Sequence, residues 1–165
     1  MSHHDNPTET NIRNWLNGMG FTITTIPQTD PNLEFNLAIA NAFGTGLGIN
    51  VAKPRNQQVV VTGLAINIDP PHRQGFARLT DRQKSDFIFE IQKNLLLLDM
   101  DFIFVPSVMD PQQIQVNRPQ FIEDLTRTSL IDSLRATRNA GLYIIWAVNN
   151  KFTSQLGPSR PSAIT

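Results

Sequence analysis

Few of the side chains that usually carry catalysis occur in this sequence, and those that do are widely spaced. The histidines are His3, His4 and His72, and there is no cysteine. No His-x-x-x-His or similar spacing is present, so the sequence predicts no metal site and no thiol or disulfide chemistry. His72 is followed by Arg73 and could contact an anion, although simple exposure to solvent is the favoured interpretation.

Two further groupings have the residue types of functional motifs without their context. Asp99 and Asp101 are paired carboxylates, which can serve acid–base chemistry, yet a turn also explains Asp99. Gly44, Gly46 and Gly48 form G-x-G-x-G without the lysine or the strand-to-helix context of a phosphate loop, which favours a hairpin. No G-x-S-x-G motif is present. The sequence therefore indicates no catalytic residues and no cofactor, and it favours a protein that is not an enzyme.

Arginines near the end of the chain are the remaining candidates for ligand binding. Arg138 begins the apolar run Arg138–Val148, and its guanidinium stays charged, so it must reach water or pair with a carboxylate. The candidate carboxylates are Asp86, Glu90, Asp101 and Glu123. Arg135 and Arg138 together could also recognise an anion. A cluster of Arg135, Arg138, Asp99 and Asp101 would be needed for a small ligand-binding protein or an enzyme.

Composition excludes several classes of partner. The 165 residues include 14 Lys+Arg and 14 Asp+Glu, so the net charge is zero and predicts neither nucleic-acid binding nor attraction to an anionic membrane. The N-terminal MSHHDNPTET has no apolar core typical of a signal peptide. The apolar runs are shorter than the roughly 20 residues that span a bilayer. We therefore expect a cytoplasmic protein.

The first half of the chain predicts one helix followed by four strands. Ile12, Trp15, Leu16 and Met19 recur with helical spacing, and Thr10 can cap the start of this helix. The four runs with period-two alternation are Phe21–Ile23, Phe35–Ile39, Leu47–Val51 and Val59–Ile66. Gly63 interrupts the fourth run and indicates a bulge or a close approach. The Pro70-Pro71 pair then ends the meander.

The second half predicts two helices separated by two strands. Thr80 and Gln83 match a capping box, so a helix should run from Thr80 to about Leu98. Two strands follow, at Met100–Val105 and Ile114–Val116, and a last helix runs from about Thr128 to about Asn149. The order helix, four strands, helix, two strands, helix predicts an antiparallel sheet in an α+β fold.

These elements also predict how the chain is divided. We expect a flexible N-terminus over residues 1–9, one α+β domain over residues 10–152, and a disordered tail over residues 153–165, which is rich in Pro, Gly and Ser.

The helix that begins at Thr80 is apolar on two opposite sides. Its wider apolar side should pack on the sheet and consists of Phe87, Ile88, Ile91, Leu95 and Leu98. Phe89 and Leu96 lie on nearly the opposite side. Either a loop or the last helix covers them, or they form a dimer interface or a groove for a client protein.

The last helix shows a similar pattern. One face carries Leu130, Ile131, Leu134, Gly141, Ile145 and Val148. Gly141 is unfavourable within a helix and indicates close approach of another backbone. Tyr143 and Trp146 lie away from the apolar face, so this helix is either central in the fold or part of a subunit contact.

The region from about Ile12 to Phe152 resembles the archaeal and bacterial domain of unknown function 2299 family. The resemblance depends on Trp15-Leu16, Gly20-Phe21, Asn50–Pro54, Thr62–Leu64, Asp101–Pro106, Arg138–Gly141 and Ile145-Trp146. It implies no active site. The element order is also similar to that of type III secretion chaperones and YbjN-like proteins, which implies a twisted antiparallel sheet backed by helices, often in a homodimer that binds client segments.

Two functional hypotheses follow. The favoured one is a non-enzymatic protein-binding module, chaperone- or adaptor-like, that forms a homodimer. Its binding residues would be Phe89, Leu96, Tyr143 and Trp146. The alternative is a small ligand-binding protein or enzyme that uses the Arg/Asp cluster.

Overall fold

A six-stranded antiparallel sheet forms one layer of the fold in the computed structural model, which describes residues 7–27 and 30–152. The strands are β1 (Ile23–Thr25), β2 (Leu33–Ile39), β3 (Ile49–Pro54), β4 (Val59–Asn67), β5 (Asp101–Ser107) and β6 (Asp110–Phe121). Their order across the sheet is β1-β2-β3-β4-β6-β5, and every neighbouring pair is antiparallel. The predicted antiparallel α+β fold is confirmed.

Four helices of the described residues form the second layer. They are α1 (Pro7–Gly18), α2 (Pro70–Ala77), α3 (Asp81–Leu97) and α4 (Arg127–Phe152). The long helix α4 crosses the centre of the sheet over β3, β4 and β6, while α3 lies beside β5 and α1 beside β1. Single turns of 3-10 helix occur at Ala42–Gly44 and Ile122–Asp124. Residues 1–6 of the predicted flexible N-terminus (1–9) and the predicted tail (153–165) lie outside the described residues, whereas residues 7–9 belong to α1.

The core lies between α4 and one face of the sheet. In β2 and β3 the alternate residues Leu37, Ile39, Ile49 and Val51 are fully buried, as expected for a sheet with one covered face. The helical side of the core includes Leu130, Leu134, Ala140 and Ile144, which are also fully buried. On the uncovered face the same strands carry polar or small residues.

Gly63 lies where two neighbouring strands come close, which confirms the predicted close approach. It is opposite Asn50 of β3 and Asn117 of β6. A Cβ at Gly63 would fall on the side-chain oxygen of Asn117 and 3.0 Å from the carbonyl oxygen of Val116. The absent side chain therefore leaves room for the Asn117 amide to lie over β4.

Strand β4 ends at Asn67, as the Pro70-Pro71 pair predicted, but these prolines also begin α2, a helix that the sequence did not predict. They occupy the first positions of the helix, with Asp69 before them in an extended conformation. Proline is favoured there because its φ suits a helix and because the first N–H groups of a helix have no internal partner. The helix then places Phe76 in the core, 4% exposed.

Several boundaries also differ from the prediction. Helix α1 begins at Pro7, three residues before the predicted cap at Thr10. Strand β6 is much longer than Ile114–Val116, because it pairs with β4 along its length and with β5 as well. Pro111 and Pro119 obscured this strand in the sequence, and they lie near its two ends, where a missing N–H is tolerated.

A cluster of buried hydroxyl groups joins α4 to β4. Thr62, Ser133 and Thr137 are fully buried. The Oγ1 atom of Thr62 lies 2.6 Å from the Ser133 Oγ and 3.1 Å from the Thr137 Oγ1, and Thr137 also donates to the Ser133 carbonyl at 2.9 Å. Because each hydroxyl has a partner, the cluster can be buried without an unsatisfied polar group.

We expect Thr62→Val to lower the free energy of unfolding by about 1–3 kcal/mol, because the shape is kept while the Ser133 hydroxyl loses its 2.6 Å partner. Urea unfolding measures the change. The double variant Thr62→Val/Ser133→Ala should cost less than the sum of the single variants. Unchanged stability of Thr62→Val would contradict this account of the cluster.

Candidate functional site

Helix α3 has a second apolar face that its own sheet does not cover. Ile88, Ile91 and Leu95 are buried on the side that faces the sheet, whereas Phe89 and Leu96 are 64% and 67% exposed. Large apolar side chains in contact on a surface often mark a binding site. The structure therefore contains the predicted helix with apolar residues on two opposite sides.

The sequence of α3 explains why this helix is well defined despite its exposed apolar residues. Thr80 accepts a hydrogen bond from the backbone N–H of Gln83, and the Gln83 side chain accepts one from the Thr80 backbone N–H, so the predicted capping box is confirmed. This box satisfies two N–H groups at the start of the helix.

A shallow apolar groove of about 580 Å³ runs along this face between α3 and the edge strand β5. It is lined by Phe89, Gln92, Lys93, Leu96, Leu97 and Phe102, which we call the α3 surface. Leu97 is 76% exposed. Lys93 lies 3.9 Å from Glu90 in an exposed ion pair, so the charge beside the groove is balanced.

No element within residues 7–27 and 30–152 covers Phe89 and Leu96. The expectation that a loop or the last helix covers them is therefore wrong for this part of the chain. Helix α4 reaches α3 on another side, where Phe152 contacts Phe87 edge to face with ring centroids 5.4 Å apart.

Tyr143 and Trp146 occupy different environments. The Tyr143 hydroxyl donates to the Glu90 carbonyl oxygen at 3.1 Å and accepts from the Asn94 side chain at 3.0 Å, so this half-buried residue connects α4 to α3. Trp146 is 61% exposed. The structure thus places Tyr143 in a helix–helix contact and Trp146 on the outside of α4, and neither lines the groove.

The hydroxyl of Tyr143 should titrate above its ordinary range. Burial raises the pKa, the Asn94 hydrogen bond lowers it, and the nearby Glu90 carboxylate raises it. Because Tyr143 is the only tyrosine, an absorbance titration reports this group alone. We expect a midpoint above about 10 in the native protein and near 10 in denaturant.

The same pKa shift predicts a dependence of stability on pH. Since the folded chain holds the tyrosine proton more tightly than the unfolded chain, the free energy of unfolding should fall as the pH rises above about 10. Tyr143→Phe removes this contribution. A native midpoint at or below that of the denatured chain would contradict the shift.

The Arg/Asp residues of the alternative hypothesis have separate contacts. Arg135 lies 3.7 Å from Asp132, and Asp99 accepts a hydrogen bond from Arg118 at 3.1 Å. Asp101 is exposed on the edge strand β5.

Arg138 stacks on the ring of Phe43 at 4.9 Å and donates to the Asn139 side chain at 2.8 Å. It makes no ion pair with any described carboxylate, and no hydrogen bond or ion pair within the described residues joins Arg135 or Arg138 to Asp99 or Asp101. Arg135 lies three residues before Arg138 on α4, so an anion site formed by these two arginines stays a prediction.

The sequence pattern indicated only Phe89 and Leu96 of the α3 surface, and it did not single out Leu97, Phe102 or the carboxylate of Asp69. Leu97 belongs to the Leu95–Leu98 run, whose length hides which leucine faces outward. Phe102 joins the groove only because α3 folds back beside β5, which no local pattern shows. Asp69 has no capping bond and lines a separate cleft with His72, which is half-buried rather than simply exposed in a loop.

Two structural observations limit the chemistry of the described residues. They contain no group of three or more His, Asp or Glu side chains arranged to hold a metal ion. None of the helices in this part of the chain is long and apolar enough to cross a membrane.

The fold and its surface define a two-layer α+β protein with one apolar face left uncovered. Residues 8–148 match the family described as "Uncharacterized conserved protein (DUF2299)", and the chain belongs to this family. A crystal structure of an uncharacterized protein from Methanothermobacter thermautotrophicus is similar, with 21% identity, a TM-score of 0.78, and coverage of 88% of this chain and 99% of that one. At this identity the similarity shows the fold alone. No curated protein matches the sequence.

Proposed function

We propose that this chain is a non-enzymatic protein-binding module, chaperone- or adaptor-like, that works as a homodimer through the α3 surface. The observation that carries the proposal is the exposure of Phe89 and Leu96, at 64% and 67%, opposite a fully packed core face of the same helix. Such a helix leaves apolar area in water until a partner covers it.

The exposed area is sufficient for the centre of a dimer interface. Phe89, Leu96 and Leu97 together expose on the order of 400 Å² of apolar surface per copy. Two copies would together bury about 800 Å² of this apolar surface. A polar rim of similar area would complete an interface of about 1,600 Å².

The spacing of the exposed residues suits a two-fold arrangement. Phe89 and Leu96 are separated by two helical turns, with Gln92 and Lys93 at the midpoint. If two α3 helices pack antiparallel about an axis at this midpoint, Phe89 of one protomer lies opposite Leu96 of its partner. Glu90 of one protomer then lies across the axis from Lys93 of its partner, and this pairing of opposite charges favours the register.

The resemblance in element order to type III secretion chaperones supports the proposal by analogy of fold. Those proteins often form homodimers that bind client segments, and a helix in the position of α3 would be the natural dimer element. Fold does not fix function, so the proposal depends on the α3 surface itself.

Cross-linking through single cysteines tests the proposed dimer directly, because the chain has no cysteine of its own. Lys93→Cys places one thiol per protomer beside the two-fold axis, within the Cα separation of about 7 Å that a disulfide allows. We expect oxidation at low protein concentration to give a covalent dimer.

Ser85→Cys is the matched control, since Ser85 is also exposed on α3 but lies about two turns from the axis. In the antiparallel dimer its two copies would be about 22 Å apart, which is too far for a disulfide. Equal cross-linking of both variants, or none of Lys93→Cys, would contradict the proposed interface.

A further inference from the structure

A second cleft lies where β4 extends past the end of β3. Its volume is about 340 Å³, near the lower end of ligand-binding pockets. One wall is the segment from Ala65 to Asp69 together with His72, and the other is the part of α4 that carries Ile145, Val148 and Asn149. The cleft shares no residue with the α3 surface.

The β4 wall of the cleft is a free strand edge. Strand β3 pairs with β4 only at Val61, Thr62 and Gly63, whereas β6 pairs with the whole of β4. The backbone N–H of Ile68 donates to the Gln112 carbonyl at 2.8 Å, on the β6 side. Because backbone groups alternate sides along an antiparallel strand, those of Ala65 and Asn67 point away from β6, to the side where β3 no longer pairs with β4.

These backbone groups are available to a ligand. Among the described residues, no loop or turn hydrogen bond uses the N–H or C=O of Ala65 or Asn67. Both residues are exposed. A free edge of this kind can pair with an extended peptide by main-chain hydrogen bonds.

The carboxylate of Asp69 lies at one end of the cleft, so the two ends of the cleft differ in charge. Asp69 stands at the N-cap of α2 and makes no capping bond, and Pro70 and Pro71 at the first two helical positions have no N–H to donate. Its carboxylate makes no hydrogen bond or ion pair with the described part of the chain. The lining includes His72 and two asparagines but neither lysine nor arginine, so it favours a positive group beside Asp69.

We propose that this cleft binds the amino-terminal residues of an extended peptide, paired antiparallel to β4. In this direction the peptide begins beside Asn67 and Asp69 and runs toward Ala65, as a continuation of the β3 line. Its α-ammonium then meets the Asp69 carboxylate, whereas a parallel peptide would carry its ammonium to the other end. An apolar side chain of the peptide contacts Ile145 and Val148.

The inference extends the proposed function by naming a class of client, but it uses a separate site, so each can fail alone. The test is an NMR titration of the full chain with an equimolar mixture of tripeptide amides that carry Ala, Val or Leu at each position. We expect the free-amine mixture to shift the amide signals of Ala65 and Asn67, and the N-acetylated mixture to bind about tenfold more weakly.

Variants separate the site from general charge effects. Asp69→Asn should reduce binding of the free-amine mixture about tenfold, whereas Asp86→Asn, which removes the same charge from an exposed position on α3, should not. Phe89→Asp should leave the titration unchanged. Equal binding of free and acetylated peptides, no effect of Asp69→Asn, or no shifts at millimolar peptide would overturn the proposal.

Discussion

Phe89→Asp is expected to convert the proposed homodimer into a monomer of 18.5 kDa without unfolding the chain. Phe89 is 64% exposed in one protomer, so a carboxylate there stays hydrated and the fold loses little. In the proposed dimer the same position would lie within the apolar centre, where an unpaired charge would be desolvated.

The expected effect is large because a two-fold dimer contains the substitution in both protomers. Losing a central aromatic contact costs about 2–4 kcal/mol, and a two-fold dimer contains two such contacts. The dissociation constant should therefore rise by roughly 10³- to 10⁶-fold. Light scattering measures the mass, and circular dichroism checks that the helices remain.

Phe121→Asp is the matched control for this substitution. Phe121 is 61% exposed at the end of β6, so it undergoes the same chemical change outside the α3 surface. We expect it to keep the mass of the unmodified protein. If Phe89→Asp also kept that mass, or if both variants dissociated equally, the α3 surface would not be the interface.

Gly63→Ala is expected to lower the free energy of unfolding by about 1–3 kcal/mol, which is a large effect for one methyl group. The added Cβ would fall on the Asn117 side chain and lie 3.0 Å from the Val116 carbonyl oxygen. The Asn117 amide can rotate away, but the carbonyl belongs to the β4–β6 ladder and can move only if the strands separate.

Gly141→Ala provides the comparison, because its added Cβ would meet only the ends of flexible side chains. The nearest atoms are Leu64 Cδ2 at 2.9 Å and Leu47 Cδ1 at 3.1 Å. Their adjustment opposes a gain of about 1 kcal/mol in helix propensity, so the net change should stay within about 1 kcal/mol. Denaturant unfolding of both variants tests this difference. Equal decreases in the free energy of unfolding would contradict it.

The most accurate predictions from the sequence concern features that depend only on residues close together in the chain. The capping box at Thr80 and Gln83 and the opposed exposure of Phe89 and Ile88 follow from helical geometry, and the structure contains both. The antiparallel sheet also followed, because short turns between strands leave no room for crossover helices. The close approach at Gly63 was predicted as one of two alternatives.

Features that depend on contacts between distant segments could not be predicted. The partner of Tyr143 lies on another helix, and Arg138 stacks on Phe43, whereas the sequence suggested water or a carboxylate for Arg138. The cleft at Asp69 exists because β3 stops short of the end of β4, and strand lengths in a sheet are set by tertiary pairing. Helix α2 was missed because two prolines can either end a strand or begin a helix.

The molar mass of the unmodified protein, measured by light scattering over a range of concentrations, tests the central claim most directly. If a second copy covers Phe89 and Leu96, the molar mass should be twice 18.5 kDa at micromolar protein and should fall only on dilution. A mass of 18.5 kDa at every concentration would mean that the outer apolar face of α3 has no copy of this chain against it.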